Sequence, residues 1–193
     1  MERTVNNFRQ TNAFAMQYGL LLGGWGLLNL FIMILSFSQT FLSVVNTLMF
    51  IGSPVVATLL ALRFRRNVTL KSEVFTLGRG FVFSLMMGIY AALWIAAGVF
   101  VYLSYFDHGY VFDVYEQMLK QPQVVKELSR NGFPLTMPDG SVLTPEELVA
   151  GMRGISAANY AGLIIYITVL SAPVFSLVIG LICRRTSPLK IER

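Results

Sequence analysis

The feature that most constrains this chain is a set of four long apolar runs without any Asp, Glu, His, Lys or Arg: residues 18–37, 41–62, 81–106 and 157–183. At about 1.5 Å per helical residue, each run can cross roughly 30 Å of hydrocarbon. Charged residues make up 13% of the chain, whereas soluble domains carry about 25%. The sequence therefore predicts an all-α integral membrane protein with four transmembrane helices. The first run is too long for a signal-peptide core and lacks a cleavage site, so it should remain as a span.

The lengths of the connections predict how the spans are arranged. Only residues 38–40 separate the first two spans, so these should form an antiparallel hairpin, and a 50-residue loop joins helices 3 and 4. We expect two antiparallel hairpins and a mostly helical extracytoplasmic loop between helices 3 and 4. The predicted segments are a cytoplasmic or interfacial lead-in (1–17), hairpin 1 (18–62), a cytoplasmic basic loop (63–80), helix 3 (81–106), the extracytoplasmic loop domain (107–156), helix 4 (157–183) and a cytoplasmic basic tail (184–193).

Local signals give the 107–156 loop a structure of its own. Pro122 should break or restart a helix, Asn131–Gly132 fits a helix C-cap, and Pro138–Gly140 is typical of a tight turn. Thr144 followed by Pro, Glu and Glu147 predicts a helix start with a capping box. We expect that helix to continue into the last span.

The distribution of charge predicts the orientation in the membrane. The two termini and the 63–80 loop hold eleven basic and three acidic residues, whereas the 107–156 loop holds four basic and seven acidic ones. Because basic loops stay in the cytoplasm, both termini should be cytoplasmic and the 107–156 loop should lie outside. The net charge of +5 thus reflects topology and does not indicate nucleic-acid binding. The topology-determining residues are Arg63, Arg65, Arg66, Arg184 and Arg185.

The connection 63–80 also has an apolar pattern. Leu70, Val74 and Leu77 recur at helical spacing. Such spacing indicates a short amphipathic helix on the membrane surface. Part of this connection is therefore predicted to lie on the bilayer.

One phrase occurs twice in the chain. IGSPVVATLLALRFRR at 51–66 and LSAPVFSLVIGLICRR at 170–185 each hold a proline eleven residues before a basic pair. We interpret Pro54 and Pro173 as helix kinks near mid-membrane. Paired broken helices also occur at transporter sites, which is the alternative. The repeat is consistent with duplication or with convergence on a kinked span with a basic end.

Small residues recur at four-residue spacing in three of the spans. Such stripes allow helices to approach closely, either within the chain or at a partner or homodimer face. They comprise Gly19 and Gly23; Gly88, Ala92 and Ala96; and Thr168, Ala172, Ser176 and Gly180. The polar Asn29 and Asn46 are expected to hydrogen-bond between helices, with a polar ligand site as the alternative.

Residues that could carry chemistry are few. His108 is the single histidine and Cys183 the single cysteine, so no metal site is predicted. The loop carboxylates are not paired with a nucleophile or base, and motifs for phosphate-binding loops and nucleophile elbows are missing. We therefore expect neither an enzyme nor a bound cofactor.

Several short motifs resemble a bacterial family, domain-of-unknown-function family 4199. These are Tyr18-Gly19-Leu20, VFTLGRGFVFSLMMG at 74–88, Tyr105-Phe106-Asp107, and the Glu-rich helix start before the last span. Where the family often has a proline after the exit aspartate, this chain has His108-Gly109. The resemblance implies four spans and an envelope location in bacteria, and it carries no activity; we expect the inner membrane. Such members tend to be encoded near membrane-linked glycosyltransferases, which suggests a partner class.

These observations give three hypotheses for function. The leading one is a non-enzymatic accessory or scaffolding subunit that binds another integral membrane protein, or itself, and is surrounded by membrane lipids. The alternative is a small oligomeric transporter, channel or lipid-handling protein built on the Pro54 and Pro173 helices. The third is an enzyme on lipid-linked substrates that uses Asp107, Asp113 and Glu116.

Overall fold

A computed structural model describes residues 2–69, 74–130 and 144–186 of the chain, and its helices lie in two compact units. The long-helix unit comprises Met1–Gly98 and Ala161–Arg193, and the short-helix unit is Val99–Tyr160. The seven α-helices of the described residues are α1 (Glu2–Ser36), α2 (Thr40–Val68), α3 (Leu77–Tyr105), α4 (Tyr110–Leu119), α5 (Pro122–Arg130), α6 (Pro145–Arg153) and α7 (Ala157–Cys183).

The four long helices are those that the apolar runs predict. By length and composition, the stretches Phe8–Ser36, Phe41–Val68, Leu77–Tyr105 and Ala157–Cys183 can each span a membrane. The all-helical fold with four membrane-compatible helices is therefore confirmed. α1, α2 and α3 begin or end beyond their apolar runs, whereas α7 coincides with its run. Arg residues in the extensions of α1 and α2 favour helix. α2, for example, includes Arg63, Arg65 and Arg66.

Hydrogen bonds between side chains connect α1 and α2. Asn46 Nδ2 donates to Asn29 Oδ1 at 2.6 Å and to the Asn29 carbonyl oxygen at 3.1 Å. Trp25 Nε1 donates to Ser53 Oγ at 3.2 Å. The expected interhelical bond between the two asparagines is thus confirmed, and it satisfies polar groups that hydrocarbon cannot.

An aromatic cluster forms the core of the long-helix unit. Phe64 and Phe83 stack with ring centroids 3.9 Å apart, and Phe75 meets Phe64 edge-on at 6.0 Å. Phe14 and Tyr18 of α1 complete the cluster. Stacked and edge-on pairs each add about 0.5–1.5 kcal/mol beyond the burial of their area. The cluster therefore joins α1, α2, α3 and the segment that precedes α3.

The connection between α2 and α3 differs from the predicted surface helix. Val74–Thr76 is not helical, and Phe75 forms a backbone bridge with Arg185. Phe75 N donates to Arg185 O at 3.1 Å, and Arg185 N donates to Phe75 O at 3.0 Å. The buried Phe75 ring and this bridge hold the segment in a non-helical conformation. The predicted surface helix is therefore wrong at Val74–Thr76. Leu70 lies outside the described residues.

The short-helix unit follows its local signals in part. α5 restarts at Pro122, and the Thr144 capping box is present. The expected continuation of α6 into the last span is wrong: α6 ends at Arg153, and Ser156 Oγ accepts a hydrogen bond from Asn159 N at the start of α7. A Ser cap begins a new helix, so the chain turns there. The predicted C-cap at Asn131–Gly132 and the turn at Pro138–Gly140 lie outside the described residues.

Candidate functional site in the short-helix unit

An open cleft of about 340 Å³ lies within the short-helix unit. The end of α3, the loop before α4, one face of α4 and the residues around the start of α7 form its walls. The lining residues are Leu103, Ser104, Asp107, His108, Gly109, Phe112, Arg153, Ile155, Ala157 and Tyr160. The cleft thus combines charged, hydroxyl and aromatic groups, which suits it to hold a small polar group.

Asp107 shapes the loop at one end of the cleft. The residue is 3% exposed. Its Oδ2 accepts a hydrogen bond from Gly109 N and its Oδ1 one from Val111 N, both at 3.1 Å. Backbone N–H groups at a helix start lack partners within the helix, and a carboxylate there is favoured by the helix dipole. Asp107 therefore satisfies two backbone donors at the start of α4, whose N-cap residue is Gly109.

The two residues after Asp107 have left-handed backbone conformations. His108 has φ of 45° and Gly109 φ of 89°. Glycine adopts this region freely, whereas a non-glycine residue there is held at a cost of about 1–3 kcal/mol. His108 Nδ1 lies 3.0 Å from the Phe106 carbonyl oxygen. The tight turn therefore leaves the exposed His108 ring beside the cleft.

Ion pairs join α4 to α6 beside the cleft. Arg153 Nη2 donates to Asp113 Oδ1 at 2.6 Å and to Glu116 Oε2 at 3.2 Å. Lys120 Nζ lies 2.8 Å from Glu116 Oε1 and 3.5 Å from Glu146 Oε1. The hydrogen bond from Lys120 is the main cause that lowers the pKa of Glu116. The hydrogen bond to Asp113 is the main cause that raises the pKa of Arg153.

The three carboxylates considered for an enzyme are all engaged in these contacts. Asp107 accepts backbone hydrogen bonds, and Asp113 and Glu116 pair with basic side chains. Within the ranges 2–69, 74–130 and 144–186, no group of three or more His, Cys, Asp or Glu can hold a metal ion. The site is a polar cleft beside two helices, α4 and α6, that ion pairs connect.

The predicted small residues of α1 face α3. An added Cβ at Gly19 meets Tyr90 Cβ at 2.5 Å, and one at Gly23 meets Trp94 Cβ at 2.8 Å. Ala92 and Ala96 of α3 are buried as well. These glycines allow a close approach of the α1 backbone to α3. They serve packing within the chain.

The predicted small residues of α7 also contact α3. An added Cβ at Gly180 lies 3.1 Å from Phe81 N, and one at Gly88 lies 3.9 Å from Ala172 Cβ. Ala172, Ser176 and Gly180 are buried, while Thr168 is half-buried and donates to the Ile164 carbonyl oxygen at 2.9 Å. This stripe therefore also serves packing within the chain.

Pro54 and Pro173 both lie exposed on helices that continue through them. Thr58 Oγ1 donates to the Pro54 carbonyl oxygen at 2.8 Å. Proline has no N–H to donate to the fourth residue before it, so the carbonyl groups of Phe50 and Val169 lose that helical donor. The kinks remain a prediction.

One hydrogen bond in the long-helix unit joins the endings of the two copies of the repeated phrase, a contact that the sequence analysis missed. Arg65 Nη1 donates to the Cys183 carbonyl oxygen at 3.1 Å. Arg185 is held by its backbone bridge to Phe75, while Arg63, Arg66 and Arg184 are exposed. The identical endings of the two copies are the only sequence signal for this meeting.

A stripe of small and polar residues on α2 was also missed. It consists of Ser43, Thr47, Pro54 and Thr58 and is called the α2 stripe below. Ser43, Thr47 and Pro54 are exposed and Thr58 is half-buried. At 100° per residue, the four positions fall within an arc of about 60°. The spacing of four, seven and four residues could have revealed it.

Comparison with protein families matches residues 17–185 to the family described as "Protein of unknown function (DUF4199)". That range covers most of the chain, and it confirms the resemblance seen in the short motifs. The comparison with curated proteins gives no match. The comparison with solved structures gives none either.

Proposed function

We propose that this chain, which belongs to the DUF4199 family, is a non-enzymatic accessory or scaffolding subunit that binds another integral membrane protein. The observation that carries the proposal is the α2 stripe, a row of small and polar residues, mostly exposed, on a membrane-compatible helix. The partner class that fits the family's genetic surroundings is a membrane-linked glycosyltransferase.

The low coverage of α2 supports a partner on this helix. Only 6% of the apolar stretch of α2 is buried inside the structure, against 33% for α3. The predicted stripes of α1, α3 and α7 pack against helices of the same chain, whereas the α2 stripe is mostly exposed. Association of helices in lipid depends on close packing because apolar faces gain little from leaving the lipid.

The chemistry of the α2 stripe also suits a helical partner. Thr47 Oγ1 donates to the Ser43 carbonyl oxygen at 2.9 Å, and Thr58 Oγ1 donates to the Pro54 carbonyl oxygen at 2.8 Å. The hydroxyl groups of Thr47 and Thr58 are thus satisfied within α2, so these two side chains can meet apolar side chains without leaving a polar group unpaired. Small side chains let a neighbouring backbone approach closely.

The proposal includes a topology. The chain sits in the bacterial inner membrane as two antiparallel hairpins, with both termini in the cytoplasm and the 107–156 loop in the periplasm. The charge distribution supports this orientation. In that arrangement the ion-paired helices α4 and α6 form a periplasmic surface, which gives a partner a second place to bind.

Site-specific crosslinking in the native host tests the proposal. Thr47→Cys is placed in a Cys183→Ser background, and Ile167→Cys on the exposed, strongly apolar face of α7 is the matched control. A membrane-permeable crosslinker should join the Thr47→Cys variant to a second, different protein at a defined mass and leave the control uncoupled. Equal coupling at both positions, or a product containing only this chain, would contradict the proposal. A homo-oligomer with retained lipid would favour the transporter, channel or lipid-handling alternative.

A further inference from the structure

We propose that Arg65 and Arg184 form a binding site for the phosphate of an anionic phospholipid headgroup, called the arginine site below. It is separate from the α2 stripe and does not depend on the proposed partner. Two arginines that are 119 positions apart in the sequence are brought together by the fold. The contact is the hydrogen bond from Arg65 Nη1 to the carbonyl oxygen of Cys183, the residue directly before Arg184.

This bond positions the side chain of Arg65 and leaves most of its N–H donors for a ligand. Its guanidinium caps the last turn of α7, where carbonyl groups lack partners within the helix. A guanidinium has five N–H donors in a planar fork, and the bond to Cys183 uses one. The remaining donors match the paired oxygens of a phosphate, which arginine binds bidentately.

The backbone around Arg184 is also fixed. Arg184 N donates to the Leu181 carbonyl oxygen at 3.2 Å, and the next residue pairs with Phe75 in both directions. Arg185 is half-buried and Arg184 is exposed. The Arg184 side chain therefore extends from an anchored backbone, one residue after the carbonyl group that the Arg65 guanidinium contacts.

The charge around the arginine site is not neutralised by neighbours that the structure describes. Arg63, Arg65, Arg66 and Arg184 form no ion pair within the described ranges, where the ion pairs all lie in the short-helix unit. The long-helix side chains that are described include no Asp or Glu. Arginines without an acidic partner among the described residues favour an anionic ligand.

The position of the site selects a lipid phosphate over other anions. Arg65 lies in the last turn of α2 and Arg184 directly follows α7. Both helices are long and apolar enough to span a membrane, so their charged ends lie at the level of the headgroups. Basic pockets between transmembrane helices bind anionic headgroups, and each basic residue near such a surface strengthens attraction about fivefold.

Lipid titration of the purified full-length protein tests the site. The protein is delipidated in a neutral detergent, and native mass spectrometry measures binding of phosphatidylglycerol and of phosphatidylcholine. We expect tighter binding of phosphatidylglycerol and a loss of about fivefold with Arg184→Gln. Arg65→Lys, which keeps the charge and removes the fork, should also weaken binding. Lys126→Gln, which removes an exposed charge in the short-helix unit, is the matched control and should change nothing.

The outcomes that overturn the site are distinct. Equal binding of both lipids, or equal effects of Arg184→Gln and Lys126→Gln, contradicts it. Inorganic phosphate distinguishes the two sources of the ligand chemistry. If it protects the protein against heat in an Arg184-dependent way while neither lipid does, the site takes free phosphate and the lipid assignment is wrong. Circular dichroism checks that Arg184→Gln remains helical.

Discussion

Different interactions stabilise each of the two units of the molecule. In the long-helix unit, glycines allow helix backbones to approach and aromatic rings stack, and its described charged side chains are all arginines: Arg9, Arg63, Arg65, Arg66, Arg79, Arg184 and Arg185. In the short-helix unit, ion pairs and a capping box connect short helices. Close packing of side chains and backbones therefore stabilises the long apolar helices, whereas ion pairs and helix capping stabilise the short polar ones. Among these arginines, Arg65 and Arg184 form the proposed lipid site.

The largest expected effect tests the aromatic core of the long-helix unit. Phe64→Ala removes a ring that is 0% exposed and stacked on Phe83, and it should lower the free energy of unfolding by about 3–5 kcal/mol. Phe50→Ala is the control, because Phe50 is 71% exposed and should change stability little. Denaturant unfolding in detergent measures both. Similar losses for the two variants would show that ring stacking does not hold this unit.

The glycine contacts give the next effect. Gly180→Ala places a Cβ 3.1 Å from Phe81 N, so α3 and α7 must separate, at a cost of about 1–3 kcal/mol. Gly52→Ala is the control, since an added Cβ there meets nothing within 4 Å and alanine favours helix by about 1 kcal/mol. Thermal unfolding should shift in opposite directions for the two variants. If Gly180→Ala stabilised the protein, the claim that α3 and α7 approach too closely at this position for a Cβ would be contradicted.

The capping box gives a smaller effect, confined to the short-helix unit. Thr144 Oγ1 accepts from Glu147 N at 3.3 Å, and Thr144 N donates to Glu147 Oε2 at 2.9 Å. Thr144→Ala should destabilise α6 by about 1 kcal/mol and raise its hydrogen exchange, while α1 and α3 keep theirs. Gln117→Ala, an exposed substitution in α4, is the control. Faster exchange throughout the chain would indicate that the units do not differ as described.

The smallest effect is the pH dependence of the ion pairs between α4 and α6. The hydrogen bond with Lys120 is the main cause that lowers the pKa of Glu116, and the same bond is the main cause that raises the pKa of Lys120. A depressed carboxyl pKa stabilises the folded state at higher pH, and the contribution is lost as pH falls through the folded value. A raised lysine pKa stabilises at lower pH and is lost as pH rises through its folded value.

Protection of α4 and α6 from hydrogen exchange should therefore be greatest between the pH range in which Glu116 titrates and the one in which Lys120 titrates. It should decline at acid pH, where Glu116 is protonated, and at alkaline pH, where Lys120 loses its charge. Exchange rates corrected for their intrinsic pH dependence measure this, and α1 serves as the internal control. Glu116→Gln should remove the decline at acid pH. The effect is small because exposed ion pairs contribute little. An unchanged acid decline in Glu116→Gln would assign it to another group.

The sequence predicted the features that local signals encode. Apolar runs without charges set the four long helices, Pro122 restarted a helix, and the Thr144 capping box formed as its spacing indicates. The break between α6 and α7 was missed although Gly154 and Ser156 stand there. Each of these features depends on residues within a few positions of one another.

Features that depend on distant residues were not predicted. The bridge from Phe75 to Arg185 and the bond from Arg65 to Cys183 join parts of the chain that the periodicity of either part cannot relate. Which small residues are used inside the chain also depends on helix orientation, so Gly19 and Gly180 could not be assigned to inner packing from spacing alone. The left-handed His108 results from the capping bonds of Asp107, which the sequence analysis did not foresee.

The most direct test of the proposed accessory role is the mass of the particle that carries this chain in its native membrane. Membrane patches excised with a polymer from the host, with the chain tagged at its C-terminus, are analysed by mass photometry and protein sequencing. The account predicts a particle that contains a second membrane protein in fixed stoichiometry. Thr47→Phe, which fills the α2 stripe, should release that protein, and Ile167→Phe should retain it. A particle that contains only this chain and lipid would contradict the account.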